Sequence, residues 1–225
     1  MNLSASPLQE LDLSFYGIDN LVYIKRDDLI HNVISGNKWR KLKYNLQYFQ
    51  SISKHGIVSM GGAFSSHILA LSYICNEYKI PCTLLVRGEP SLPVNNILKQ
   101  CLSFNARIKY INREKYKDSL WINALVNESF KDFYFIPEGG ANYFGIYGCQ
   151  KIVKEILMPF DVIFCEVGTG ATFSGIVSSL SSVQRCFGTV VLKGAKKIQN
   201  EIIKRHHLQM KKLLSIQQFT LSHDY

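Results

Sequence analysis

The sequence predicts an α/β protein built on parallel sheets. Two observations carry that reading. Short apolar runs alternate about six times with helical patterns across short links, the rhythm of strands joined by crossover helices. Central runs such as Val162-Ile163-Phe164-Cys165 are apolar at every position, as in strands covered on both faces. Composition agrees. With 225 residues, 47% hydrophobic and 19% charged, the chain can bury a real core as one large domain or two small ones.

In order, Leu21 to Asp28 is extended and leads into a helix whose apolar residues Trp39, Leu42, Leu46 and Phe49 share one face of a 3.6-residue period. Ser35 and Asn37 are candidate caps for it. Gly56 to Met60 is a strand ended by Gly61-Gly62, and Ser66 to Tyr78 a helix. Pro81 to Val86 is a strand, Asn95 to Phe104 a helix, Ala106 to Ile111 a strand and Ser119 to Phe130 a helix. Phe133 to Ile136 is a strand stopped at Pro137-Glu138-Gly139-Gly140, and Tyr143 to Leu157 is helical. Asp161 to Cys165 is a strand, followed by Gly168-Thr169-Gly170 and a helix to about Leu180. Cys186 to Leu192 is a last strand before a basic helix.

Several function classes are disfavoured. Met1 to Leu13 has no basic start and no apolar run of signal-peptide length, and no stretch approaches the roughly 20 apolar residues of a membrane span. The expected location is the cytoplasm, with no membrane partner. The six cysteines form no CxxC pair and sit largely in apolar runs, as buried thiols rather than zinc ligands or disulfides. No metal site is expected. Seven basic residues and one acid between Lys193 and Lys212 supply six of the nine net positive charges. That segment lacks aromatic interleaving and reads as a solvated helix face, so no nucleic-acid partner is expected.

Chemistry concentrates at three glycine-bearing turns that follow strands and precede helices: Gly61 to His67, Glu138 to Asn142 and Gly168 to Thr172. Ligands of open α/β sheets bind at the carboxyl ends of strands, where such turns lie. Gly168, Thr169, Gly170, Ala171 and Thr172 make the best phosphate cradle: glycines admit a close ligand, hydroxyls donate, and a helix start follows. It is neither a Walker loop nor GxGxxG, and glycines in a βα turn also serve plain steric ends. Ser65, Ser66 and His67 offer hydroxyls and an imidazole at a helix start, or simply a capping serine before a half-buried histidine. No GxSxG elbow and no paired carboxylates appear. Lys38, in the first turn of its helix, is misplaced as a dipole partner, which favours the neutral amine that attacks carbonyls. Alone it reads first as a solvated lysine beside Arg40, Lys41 and Lys43 and only second as a catalyst. A first-turn lysine with a phosphate cradle on this fold suggests a cofactor with an aldehyde and a phosphate, and pyridoxal 5'-phosphate (PLP) has both.

The runs Ile24-Lys25-Arg26-Asp27-Asp28-Leu29 and Ser35-Gly36-Asn37-Lys38-Trp39-Arg40-Lys41-Leu42 closely resemble the 1-aminocyclopropane-1-carboxylate deaminase / D-cysteine desulfhydrase family. So do Pro7-Leu8-Gln9, Gly61 to His67, Ile136 to Asn142 and Gly168 to Gly175. The resemblance implies two open parallel-sheet α/β domains of the tryptophan synthase β-like PLP fold. The larger would be residues 1–50 and 159–225, incomplete at its C-terminus, and the smaller 51–158. It implies that Lys38 links covalently to PLP, with Asn37 beside it, and that Gly168 to Thr172 hold the phosphate. It implies Ser65 as a catalytic residue facing the substrate carboxylate, and Ser66 and His67 at the cofactor, Ser66 standing where the family has asparagine. Substrate would be a small amino acid, 1-aminocyclopropane-1-carboxylate or D-cysteine, giving a 2-oxo acid and ammonia, in a homodimer. Family members continue past the position of Tyr225, so a weakly active or inactive PLP-binding remnant is the alternative expectation.

Overall fold

The computed structural model describes residues 3–90, 93–191, 202 and 219–222, the last four as backbone only. The chain opens with an antiparallel ribbon, β1 (Leu8–Leu11) on β2 (Val22–Lys25), with Leu8 opposite Lys25. Helix α1 (Lys38–Gln50) follows. Leu42, Leu46 and Phe49 are buried and Trp39 packs against the same core, so the apolar period reads correctly.

Next comes a four-stranded parallel sheet. Its strands are β3 (Gly56–Gly62), β4 (Cys82–Arg87), β5 (Arg107–Ile111) and β6 (Phe133–Ile136), in the order β5-β4-β3-β6. The crossovers are α2 (Ser66–Glu77), α3 (Asn96–Ser103), and the pair α4 (Arg113–Lys117) and α5 (Ser119–Ser129). Burial explains the uninterrupted apolar runs. Ile57, Leu84 and Val86 meet α1, α2 and α3 on one face. Val58, Met60 and Leu85 meet Tyr116, Ile122 and Val126 of α4 and α5 on the other. The chain steps outward from β3 to β5 and returns on the opposite side of β3 as β6. The carboxyl ends of β3 and β6 therefore flank the switch point, the place where such sheets leave a crevice.

Helix α6 (Tyr143–Lys154) crosses α1, and α7 (Ala171–Val177) packs on α6. The crossing is close because position 148 is glycine: a Cβ there would collide with the Arg40 carbonyl oxygen. A second parallel sheet, β7 (Val162–Val167), β8 (Arg185–Val190) and β9 (Phe219–Ser222), runs in that order.

Three expectations need correction. Among the described residues, strand β7 is covered by helices on one face only. Ile163, Cys165 and Val167 turn toward the core under α6 and α7, whereas Phe164 is 74% exposed and stacks on its register partner Phe187, centroids 5.4 Å apart. Among the described residues no helix lies over that face. Arg40 and Lys41 are not solvated: both are 6% exposed. His67 is fully buried rather than half-buried. All six cysteines are free, five buried and Cys165 half-buried. The basic run Lys193 to Lys212 lies outside the described residues apart from Ile202. Among the described residues no helix is long and apolar enough to cross a membrane.

Candidate active site

A cavity of about 350 Å³ lies where the three glycine-bearing turns meet the first turn of α1. That is within the range of small-molecule sites. Of the ten residues singled out from sequence, eight line it: Asn37, Lys38, Ser65, His67, Gly168, Thr169, Gly170 and Thr172. Ser66 and Ala171 do not. Ser66 is exposed on the outer side of α2, and Ala171 is buried in the α7 core. Five further side chains complete the polar and apolar walls: Lys41, Glu138, Glu166, Phe173 and Val191.

Each wall follows from local sequence. Asn37 occupies the N-cap position of α1 but caps nothing through its side chain. Its Oδ1 instead accepts a hydrogen bond from Lys38 Nζ at 2.8 Å. Burial, reinforced by the Lys41 charge and opposed by Glu166, lowers the Lys38 pKa from 10.5 to about 8. The amine is therefore partly neutral near physiological pH, as a carbonyl-attacking lysine must be. Ser65 is the N-cap of α2, its Oγ accepting the His67 N–H at 3.3 Å. The hydroxyl proton stays available to a ligand.

Behind Gly168 and Thr169, the chain enters α7 through Gly170 at φ 82°, a left-handed conformation that glycine adopts without steric cost. No side chain caps that helix, and first-turn N–H groups have no intrahelical acceptor. A Cβ on Gly168 would meet nothing within 4 Å, so the turn is open on that side. Lys41, one turn after Lys38 on the same face, lines the cavity from below. The third turn leans on the second: Gly139, at φ 65°, has Thr169 so close that a Cβ would clash with it.

His67 sits deepest. Burial first, then the charges of Lys41 and Lys38, lower its pKa from 6.5 to about 3, and the ring is neutral. Its Nε2 lies 2.9 Å from Ser59 Oγ, which donates at 2.7 Å to the Ile136 carbonyl.

Sequence reasoning missed Lys41, Glu138 and Glu166 as cavity residues. Lys41 was readable from its spacing to Lys38, but a lysine in a basic run looks solvated. Glu138 heads one of the turns already singled out, beside Gly139, and Glu166 stands two residues before Gly168; a charge close to those glycines was the available signal.

An amine of lowered pKa, a second buried lysine, hydroxyls and an uncapped helix start around one cavity suit a ligand that is both a carbonyl and a phosphate. The donor set fits PLP. The description of pyridoxal-phosphate dependent enzymes matches residues 2–210, and the chain belongs to that family. Its members depend on PLP, and the fold is the tryptophan synthase β-like PLP fold. Among individual relatives, the chain is 33% identical over 196 residues to a putative 1-aminocyclopropane-1-carboxylate deaminase of Thermotoga maritima, covering 82% of this chain and 62% of that protein. It is 24% identical to a D-cysteine desulfhydrase of Serratia proteamaculans, covering 92% of this chain and 67% of that protein. A crystal structure of an ACC deaminase homologue superposes with a TM-score of 0.78 at 25% identity, covering 99% of this chain and 72% of that one. The chain thus spans a little under two thirds of the Thermotoga relative's length.

Proposed function

We propose that the chain is a PLP-dependent deaminase or desulfhydrase acting on a small amino acid, 1-aminocyclopropane-1-carboxylate or D-cysteine, and releasing a 2-oxo acid and ammonia. The observation that carries this is Lys38: a half-buried lysine, its pKa lowered to about 8, in one cavity with the open Gly168 to Thr172 turn. The names of the relatives supply the substrate classes.

On this reading Lys38 would hold the cofactor's aldehyde carbon. The backbone N–H groups entering α7, the Thr172 hydroxyl and Lys41 would hold the phosphate. When bound, PLP supplies an electrophilic carbon for an amine and a ring that accepts the electrons left behind when a proton leaves the adjacent carbon. The chain's own part is positioning and proton traffic. Lys38 Nζ changes between ammonium and free amine near pH 8, so it can carry a proton in either direction. Ser65 Oγ, fixed as a helix cap, has one proton to donate to a substrate carboxylate. Asn37 Oδ1 fixes where the free amine rests. Residues 51–158, which carry the Gly61 and Glu138 turns, form the smaller proposed domain. Residues 1–50 and 159–225 form the larger proposed domain, and the cavity falls at their meeting. The proposal includes a cytoplasmic homodimer, which light scattering of the purified chain would check.

A second reading, PLP binding with weak turnover, is favoured by the exposed ring of Phe164, on a face over which no helix lies among the described residues. That face runs up to Glu166 and Val191 on the cavity wall. One experiment addresses both. PLP is added to the wild type and to Lys38→Ala, visible absorption of the lysine-linked cofactor is recorded, and ammonia release from D-cysteine and 1-aminocyclopropane-1-carboxylate is measured. Absorption and ammonia in the wild type alone support the first reading. Absorption without ammonia supports the second. Equal absorption in both proteins removes Lys38 from its role.

A further inference from the structure

We infer that His67 is held as the neutral Nε2–H tautomer and offers Nδ1 as the hydrogen-bond acceptor for an N–H or O–H donor of the ligand in this cavity. The inference rests on the PLP reading for the identity of that ligand, and on hydrogen-bond counting for the tautomer.

The counting starts at Ser59, fully buried in β3 opposite Ile136 of β6. A serine hydroxyl has one proton. It is donated to the Ile136 carbonyl oxygen, which can only accept. The contact between Ser59 Oγ and His67 Nε2 at 2.9 Å must then be donated by the ring. The opposite assignment would put the serine proton on Nε2 and leave two bare oxygens 2.7 Å apart. With Nε2 protonated and the ring neutral, Nδ1 carries a lone pair. Nδ1 is buried and has no hydrogen-bond partner within the chain. An orphaned N–H at that position would be the costlier state, and an orphaned acceptor the cheaper one.

Placement makes the acceptor useful. His67 lines the cavity together with Lys38, Lys41 and Ser65, all of which can donate. Its Cε1 and the Lys41 side chain bracket Gly140, where a Cβ would lie 3.7 Å from the one and 3.1 Å from the other. A ring that is not protonated cannot serve as an anion holder or general acid here. Its complement is a donor: a hydroxyl or ring N–H carried by the ligand. His67 thereby discriminates between ligands that present a proton at that point and ligands that do not, and Ser59 is the positioning residue behind it.

The test is two-bond proton–nitrogen correlation on protein labelled with ¹⁵N-histidine, the His67 signals being assigned by their loss in His67→Gln. Without PLP, His67 is expected to show the Nε2–H pattern from about pH 5 to pH 8, with Nδ1 at the position of a free lone pair. Added PLP is expected to move the Nδ1 resonance to the hydrogen-bonded position, and phosphate alone to leave it. Ser59→Ala is expected to add a second, Nδ1–H population and to weaken PLP binding about tenfold. An Nδ1–H pattern or an imidazolium in the wild type overturns the tautomer. An Nδ1 already hydrogen-bonded before PLP, or unmoved while borohydride still traps PLP on Lys38, overturns the acceptor role and leaves the proposed function standing. No trapped Lys38 overturns both.

Discussion

Lys38 and Arg40 stand two residues apart in the first turn of α1, so their side chains leave the helix in opposite directions, about 200° apart. Both are cations taken largely out of water, and the chain treats them in contrary ways. Arg40 meets two carboxylates. Its Nε and Nη2 reach Asp27 at 2.6 and 2.7 Å, and Nη1 and Nη2 reach Glu155, both at 2.8 Å. Lys25 adds a second cation to Glu155 at 3.0 Å, and Ser6 a hydroxyl to Asp27 at 2.7 Å. Those bonds raise the Arg40 pKa despite its burial. Lys38 has one neutral acceptor, Asn37, and a like charge nearby, and its pKa falls. Desolvation is common to the two; the partner decides whether burial makes a fixed ion or a reactive amine. One side of α1 fastens Asp27 and Glu155 to the helix, and the other presents Lys38 to the cavity.

The largest expected effect breaks the reactive side. Lys38→Ala should lower ammonia release by 10⁴-fold or more, the order of losses on removing a covalent catalyst, and initial rates on either substrate would read it. Breaking the fixed side should act on stability instead. Arg40→Ala leaves Asp27, 13% exposed, without its cation and should cost about 3 kcal/mol in urea unfolding. Lys38→Met should leave the unfolding midpoint unchanged or higher, since it removes an amine that burial disfavours. Equal losses for the two variants would erase the contrast.

Acid should act on the same contrast through Glu155. Hydrogen bonds from Arg40, opposed by burial and supported by Lys25, lower its pKa from 4.5 to about 2. A carboxylate depressed on folding stabilises fully above the unfolded value and loses that stabilisation as pH falls from about 4.5 toward 2. Solvent screening tempers the effect, because the Glu155 side chain is 45% exposed. The slope of urea stability over that window should flatten in Glu155→Gln. Lys38 gives the same sign in a more alkaline window. Its pKa is lowered from 10.5 to about 8, so the unfolded chain binds the extra proton between those values and stability rises with pH across them. The rate at which PLP attaches should rise through about pH 8 for the same reason, as stopped-flow absorbance would record. The smallest effect belongs to Ser66, exposed and off the cavity wall. Ser66→Ala should change PLP affinity by less than about threefold, as surface substitutions do.

The strands, their crossovers and the apolar face of α1 were legible because periodicity and glycine punctuation are local. The site turns were legible for the same reason, and the fold's switch point then brings β3 and β6 together without further instruction. What local pattern could not give is pairing across the chain. Arg40 reads as one of four basic residues within six positions until Glu155, 115 positions later, meets it. The ribbon of β1 on β2 needs Leu8 to find Lys25. Ser59 is one polar residue in an apolar strand, and its bearing on His67 exists only after β6 supplies the Ile136 carbonyl. Phe164 misled for the reverse reason: apolar residues on both faces of β7 suggested two covers, and the described residues place helices on one.

The most direct test of the contrast is borohydride reduction of the PLP-treated chain followed by peptide mapping. The account predicts the reduced cofactor on Lys38, with Lys41, three residues away in the same cavity, unlabelled. Label on Lys41 or Lys43, or spread evenly over the lysines of α1, would contradict it.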